Sequence, residues 1–220
     1  GRITMAVYAL EEQEQLSELK AWWSRYGSLV TAVAVAAALA SVGWQAWRWY
    51  QNKQSGEAAA LYAVVEQAAA KGDAVKAREA AGQIFEQYGR TAYGDMAALL
   101  SAKAQVEAGD LKNAQAQLSW SVEHGRDPAL RDLARLRLAT VLLDQGQADQ
   151  ALAFLGTEPV PDFKARFADV KGDILAAQGK SAEARVAYQA AIDALPKEDR
   201  EAAPLRELLS LKLEGLGSAQ

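Results

Sequence analysis

Four short segments of this chain carry the same punctuation. They read AAAKGDAVKA (68–77), QVEAGDLKNA (105–114), LLDQGQADQA (142–151) and LAAQGKSAEA (175–184). In each, a glycine is followed five residues later by an alanine: Gly72 and Ala77, Gly109 and Ala114, Gly146 and Ala151, Gly179 and Ala184. The glycines stand 37, 37 and 33 residues apart, near the period of roughly 34 that marks helix–turn–helix solenoids. The physical reading is direct. A glycine ends one helix, because only a residue without Cβ takes the left-handed conformation cheaply. The alanine sits early in the next helix, where two helices approach most closely and a larger side chain would clash. One such pair means nothing; four in register predict an all-α chain of about four repeats.

The residues between these turns agree. Alanine supplies 48 of 220 positions and is the best helix former and a poor strand former. Helical segments are predicted at 58–70, 93–108 and 128–145, the last opened by Asp127 as cap and Pro128 at the first position. Pro159 and Pro161 force a loop, so the second helix of that repeat is short, about 148–155. Pro196 closes the last complete repeat. Beyond it Leu205, Leu208, Leu209, Leu213 and Leu216 form a helical stripe, which predicts a C-terminal capping helix with a polar outer face.

The first 50 residues are a different object. Five of the six tryptophans lie between Trp22 and Trp49. Between Arg25 and Arg48 run 22 uncharged residues, YGSLVTAVAVAAALASVGWQAW. As a helix they span about 33 Å at ~1.5 Å per residue, enough to cross a bilayer core. Trp22, Trp23 and Tyr26 flank one end; Trp44, Trp47 and Trp49 flank the other. Aromatic rings at both ends suit the two membrane interfaces. These features predict a transmembrane anchor over 26–50. A buried helix of a soluble protein would need no such double girdle. Ala38-Leu39-Ala40 before Ser41 also fits signal-peptide cleavage, but the preceding region is long and holds Glu11, Glu12, Glu14 and Glu18. Before the anchor, apolar positions 16, 19, 23 and 26 share one face, so 1–25 reads as a short amphipathic segment. Ser28, Ala32, Ala36 and Ala40 repeat every fourth residue, a spacing that allows close helix packing in a membrane. Basic residues flank both ends equally, so charge leaves the orientation open.

Charge and composition exclude several functions. The first 50 residues hold four basic and four acidic groups, so the net charge of −4 lies in the remainder. That disfavours nucleic-acid binding. There is no cysteine and a single histidine, His124, which leaves no thiol nucleophile and no His/Cys metal cluster. No phosphate-cradling glycine loop and no GxSxG elbow occur. The chain is therefore read as a non-enzyme, with no cofactor, metal or small-molecule substrate.

The repeat segments resemble the tetratricopeptide repeat. Pro196 stands 17 residues after Gly179, where that repeat usually ends, but Gly89, Arg126 and Phe163 hold the earlier equivalents. The usual aromatic nine after the glycine is Tyr188 in the last repeat, against Ala81, Leu118 and Leu155 before it. The repeats are degenerate. The whole chain is similar to a narrower family. MAVYALEEQEQLSELKAWWSRYG from Met5, one apolar helix ending WQAWRWYQ, about four repeats and LRELLSLKLEGLG resemble the YfgM family from Met5 onward. The resemblance implies an ancillary subunit of the bacterial SecYEG translocon. It further implies a cytoplasmic segment 1–25, an inner-membrane anchor and a periplasmic repeat domain 51–220. The implied partners are the translocon and a membrane-anchored isomerase-like chaperone, PpiD. A scaffold that organises cell-envelope or division proteins from the periplasm is the alternative, since the same fold would serve it.

Counting back from each turn glycine gives the expected concave face. It includes Tyr62, Met96, Leu99, Lys103, Val106, Leu133, Leu136, Thr140, Leu143 and Asp173. Asparagine occurs only at Asn52 and Asn113, so a carboxylate clamp of the Asn/Lys kind is not expected. The candidates for protein binding are Tyr62, Met96, Leu99, Lys103, Leu133, Leu136 and Thr140. Several of the apolar ones equally suit the core between stacked repeats.

Overall fold

The computed structural model describes the backbone of residues 2–196 and 200–217, with side chains from residue 16 onward. Side chains 1–15 of the amphipathic segment lie outside the described residues. The described chain holds nine α-helices and one 3-10 turn: α1 (Arg2–Ala70), α2 (Ala74–Tyr88), α3 (Ala92–Glu107), α4 (Leu111–His124), α5 (Pro128–Asp144), α6 (Ala148–Phe154), the turn Pro161–Phe163, α7 (Lys164–Ala177), α8 (Ser181–Ala194) and α9 (Ala203–Gly215). The chain divides into two compact units, 1–53 and 54–220. The sequence reading separated two objects near residue 51, yet α1 passes through that junction without a break. No proline stands there to stop it.

In the second unit the last part of α1 pairs with α2, α3 with α4, α5 with α6 and α7 with α8. The four turn glycines hold φ of 72°, 78°, 76° and 75°, and no other described residue has positive φ. Each turn closes the same way. The residue after the glycine donates its N–H back across the turn: Asp73 to Ala68 O, Asp110 to Gln105 O, Gln147 to Leu142 O and Lys180 to Leu175 O, at 2.8–2.9 Å. This is the six-to-one bond that satisfies carbonyls left over at a helix C-terminus. The same residue caps the next helix. Its carbonyl accepts the N–H of the alanine: Ala77 to Asp73, Ala114 to Asp110, Ala151 to Gln147 and Ala184 to Lys180. Asp73 and Asp110 add side-chain caps to Lys76 N and Asn113 N.

The four alanines are fully buried, each at 0% exposure. They lie at the centre of three successive core clusters, which run from Val65 and Ile84 through Leu138 and Leu142 to Tyr188 and Leu209. The last repeat also carries Gly172, where an added Cβ would fall 2.4 Å from Tyr188 Cε1. An aromatic nine residues after the turn therefore requires a glycine opposite it.

Helix α9 buries Leu209 completely and Leu205, Leu213 and Leu216 in part. Leu208, expected on that buried stripe, is instead 46% exposed, as is Leu211 at 59%. The outer face of the capping helix is thus not wholly polar. Lys212 fixes the helix by reaching Asp169 and Asp173 at 2.6 and 2.7 Å. Burial raises the Asp169 carboxyl above the usual carboxylate range, even beside Lys212. Tyr188 donates its hydroxyl to Asp173 at 2.8 Å.

Two glycine substitutions should move stability in opposite directions. At Gly109 a side chain must occupy the left-handed region, so Gly109→Ala should cost about 1–2 kcal/mol. Gly82 lies inside α2, and an added Cβ there meets nothing within 4 Å. Gly82→Ala should therefore gain about 0.5–1 kcal/mol. Thermal melts of the two variants, followed by circular dichroism, should shift in opposite senses.

Candidate protein-interaction site

The first helix of each pair supplies the expected binding face. Lys103 and Thr140 occupy the same register in α3 and α5, six residues before their turn glycines. Both are exposed, and they line one groove of about 380 Å³. Ala102, Leu118 and Val141 form its apolar floor, and Val106, 40% exposed, stands on its wall. Arg137, Glu107 and Asp144 complete the lining. Lys103 pairs with Glu107 at 3.6 Å on the surface, an arrangement worth well under ~1 kcal/mol. Arg137 ties α5 to α3, since its Nη1 donates to Leu99 O at 3.3 Å. Burial lowers its guanidinium pKa below the ordinary value. The groove joins an apolar strip to charges of both signs, a combination suited to a protein segment.

The other candidates fall elsewhere. Leu99 and Leu136 are buried, at 6% and 8% exposure. Met96 and Leu133 are half-buried. Tyr62 is half-buried with its ring centroid 5.6 Å from that of Tyr93. Burial and nearby Glu66 raise its phenol pKa. Of the seven, only Lys103 and Thr140 are brought together on open surface. The Asp173 position of this face is occupied by Lys212 of α9.

Sequence reasoning missed a recurrent device. Asp95 of α3 is buried and accepts the Ser121 hydroxyl at 2.7 Å and the Arg126 N–H at 3.1 Å. Asp132 of α5 is also buried and accepts the Val160 N–H at 2.7 Å. Each carboxylate captures the backbone that leads into the next repeat. The two aspartates stand 37 residues apart, in step with Gly109 and Gly146. That spacing was the available signal. Arg135 completes the second site: it bonds Asp132 at 2.7 Å, Phe154 O at 3.0 Å and Thr157 O at 2.6 Å, and lies over the Phe167 ring.

His124 stacks on Trp120, 5.4 Å between centroids, with Nδ1 3.1 Å from Trp120 O. Among the described residues no group of three His, Cys, Asp or Glu could hold a metal ion. Among the described residues one helical stretch, Leu16–Ala70, is long and apolar enough to cross a membrane. Trp22, Trp23, Trp44, Trp47 and Trp49 are all exposed on it.

Residues 20–218 match the tetratricopeptide repeat-like domain family. The chain is 33% identical over 208 residues to an ancillary SecYEG translocon subunit of Neisseria gonorrhoeae, covering 94% of this chain and 98% of that protein. It is 29% identical over 214 residues to the protein of that name from Escherichia coli, covering 96% and 99%. The Haemophilus influenzae protein of that name is 29% identical over 184 residues, covering 84% and 90%. The chain belongs to the YfgM family. As expected of a tetratricopeptide repeat-like domain, paired helices provide the exposed surface.

The depth of the residues predicts how substitutions will act. Val106→Asp should weaken partner capture tenfold or more and leave the circular dichroism spectrum unchanged. Leu99→Asp places a carboxylate in the core and should lower helicity as well. Breaking the buried ion pair with Asp132→Ala should cost about 3–5 kcal/mol by leaving Arg135 unpaired, read as an earlier urea transition.

Proposed function

We propose that this protein is a membrane-anchored, non-catalytic ancillary subunit of the SecYEG translocon. The observation that carries the reading is similarity along nearly the whole chain to relatives bearing that name, at 29–33% identity. The apolar helix supports anchoring; on this reading 26–50 cross the inner membrane, 1–25 lie in the cytoplasm and 51–220 in the periplasm. Anchoring beside the translocon would raise the effective concentration of the repeat domain for any partner in the same membrane. The mixed apolar and charged groove between α3 and α5 supports a scaffold that binds protein by side-chain and main-chain contacts. On this reading the groove holds a periplasmic chaperone of the PpiD type close to chains that emerge from the translocon.

Co-purification tests the proposal. Tagged full-length protein, extracted from membranes in mild detergent, should bring down translocon subunits and a membrane-anchored isomerase-like chaperone, identified by mass spectrometry. Recovery of cell-wall or division proteins without the translocon would move the function to envelope scaffolding.

A further inference from the structure

Helix α9 keeps the register of the first helices. Gly217 donates its N–H to Glu214 O, three residues back, as Gly72, Gly109, Gly146 and Gly179 donate to Ala69, Val106, Leu143 and Ala176. Leu216 before it bonds Lys212 O, as Ala108, Gln145 and Gln178 bond Ala104, Val141 and Ile174. Aligned on these glycines, Leu211 stands in the row of Lys103, Thr140 and Asp173, and Leu208 in the row of Arg137. Lys103, Thr140 and Arg137 line the groove between α3 and α5.

On α9 these rows are apolar and uncovered. Leu208 and Leu211 are 46% and 59% exposed. With Pro204 and Gly215 they repeat at intervals of four, three and four residues, the spacing of a coiled-coil seam. Glu207 and Glu214, seven residues apart, each precede a seam position on the same flank. Both are exposed and make no ion pair within the described residues. The bases of the helix are engaged elsewhere. Arg206 donates from Nη2 to Pro196 O at 2.7 Å, and Lys212 holds Asp169 and Asp173. Arg185 of α8 lies beside Gly217, at the end of the helix, and pairs with neither glutamate.

These charges decide between occupants. A second copy laid antiparallel on the same seam would set Glu207 against Glu214. Laid parallel, it would set Glu207 against Lys212, which Asp169 and Asp173 already hold. Neither arrangement offers the glutamates a free base, and like charges across a contact oppose it. An anionic lipid surface would repel them as well. We propose that this face of α9 docks a basic amphipathic helix of a different protein. That helix packs apolar side chains on Leu208 and Leu211 and sets Lys or Arg opposite Glu207 and Glu214. The contact is distinct from the groove between α3 and α5, and it does not depend on the translocon reading.

A photo-crosslinker tests this in the full chain within native membranes. Benzoylphenylalanine at position 211, where a large apolar side chain already stands, should give an adduct to a different protein. The adduct should map to a helical segment in which Lys or Arg flanks the apolar side chains. Glu207→Lys combined with Glu214→Lys changes only exposed charges and should lower the yield about tenfold, with the circular dichroism of the purified protein unchanged. A synthetic helical peptide with Leu along its seam and Lys on both flanks should suppress the adduct. The same peptide with Glu in place of Lys should not. No adduct, an adduct to a second copy of this chain, a yield that survives the charge reversal, or equal suppression by the two peptides would overturn the proposal.

Discussion

Every helix pair in the repeat unit depends on a glycine with left-handed backbone and an alanine five residues later. The glycine reverses the chain and lets the following residue bond back to the helix just ended. That following residue then caps the next helix and receives the alanine N–H. Two unsatisfied helix ends are thus settled by one three-residue turn. The alanine has no side chain beyond Cβ, so the second helix can lie close against the first. A left-handed alanine in place of the glycine would cost ~1–2 kcal/mol, while overpacking at the alanine would cost about 1–3. Neither is lethal alone. Their repetition makes the fold.

Polar contacts then decide how one pair joins the next. Asp95 and Asp132 each hold the backbone that enters the following repeat. These carboxylates are buried, and so is Arg135 beside Asp132. Removing one member of such a pair leaves an uncompensated charge, whereas the surface pair Lys103–Glu107 contributes little. The same Arg135 fixes the carbonyls of Phe154 and Thr157, which holds the chain leaving α6 against α5. At the far end Lys212, between Asp169 and Asp173, performs the equivalent task for α9.

Much of this was legible in the sequence, for a physical reason. A left-handed turn tolerates almost no residue but glycine, and the tight contact almost none but alanine, so both leave a mark at fixed spacing. The short α6 was legible from Pro159 and Pro161, since proline lacks a donor and fixes φ. The binding face was less legible. Leu99 and Leu136 share the helical register of Lys103 and Thr140, and periodicity does not separate a concave surface from the seam between stacked repeats. Leu208 illustrates the same limit on α9. The paired aspartates repeat at the glycine spacing, but carboxylates are so common along helical sequences that two of them draw no attention.

The proposed function requires the repeat unit to meet proteins on the side of the membrane where chains emerge. The chain has no cysteine, so one introduced at an exposed position reports its location without background. Ala182→Cys on α8, in the full-length protein, can be challenged with a membrane-impermeant maleimide in spheroplasts. Labelling before lysis is the predicted result and places the repeats in the periplasm. Labelling that begins only after lysis would put them in the cytoplasm and contradict the proposed role beside the translocon exit.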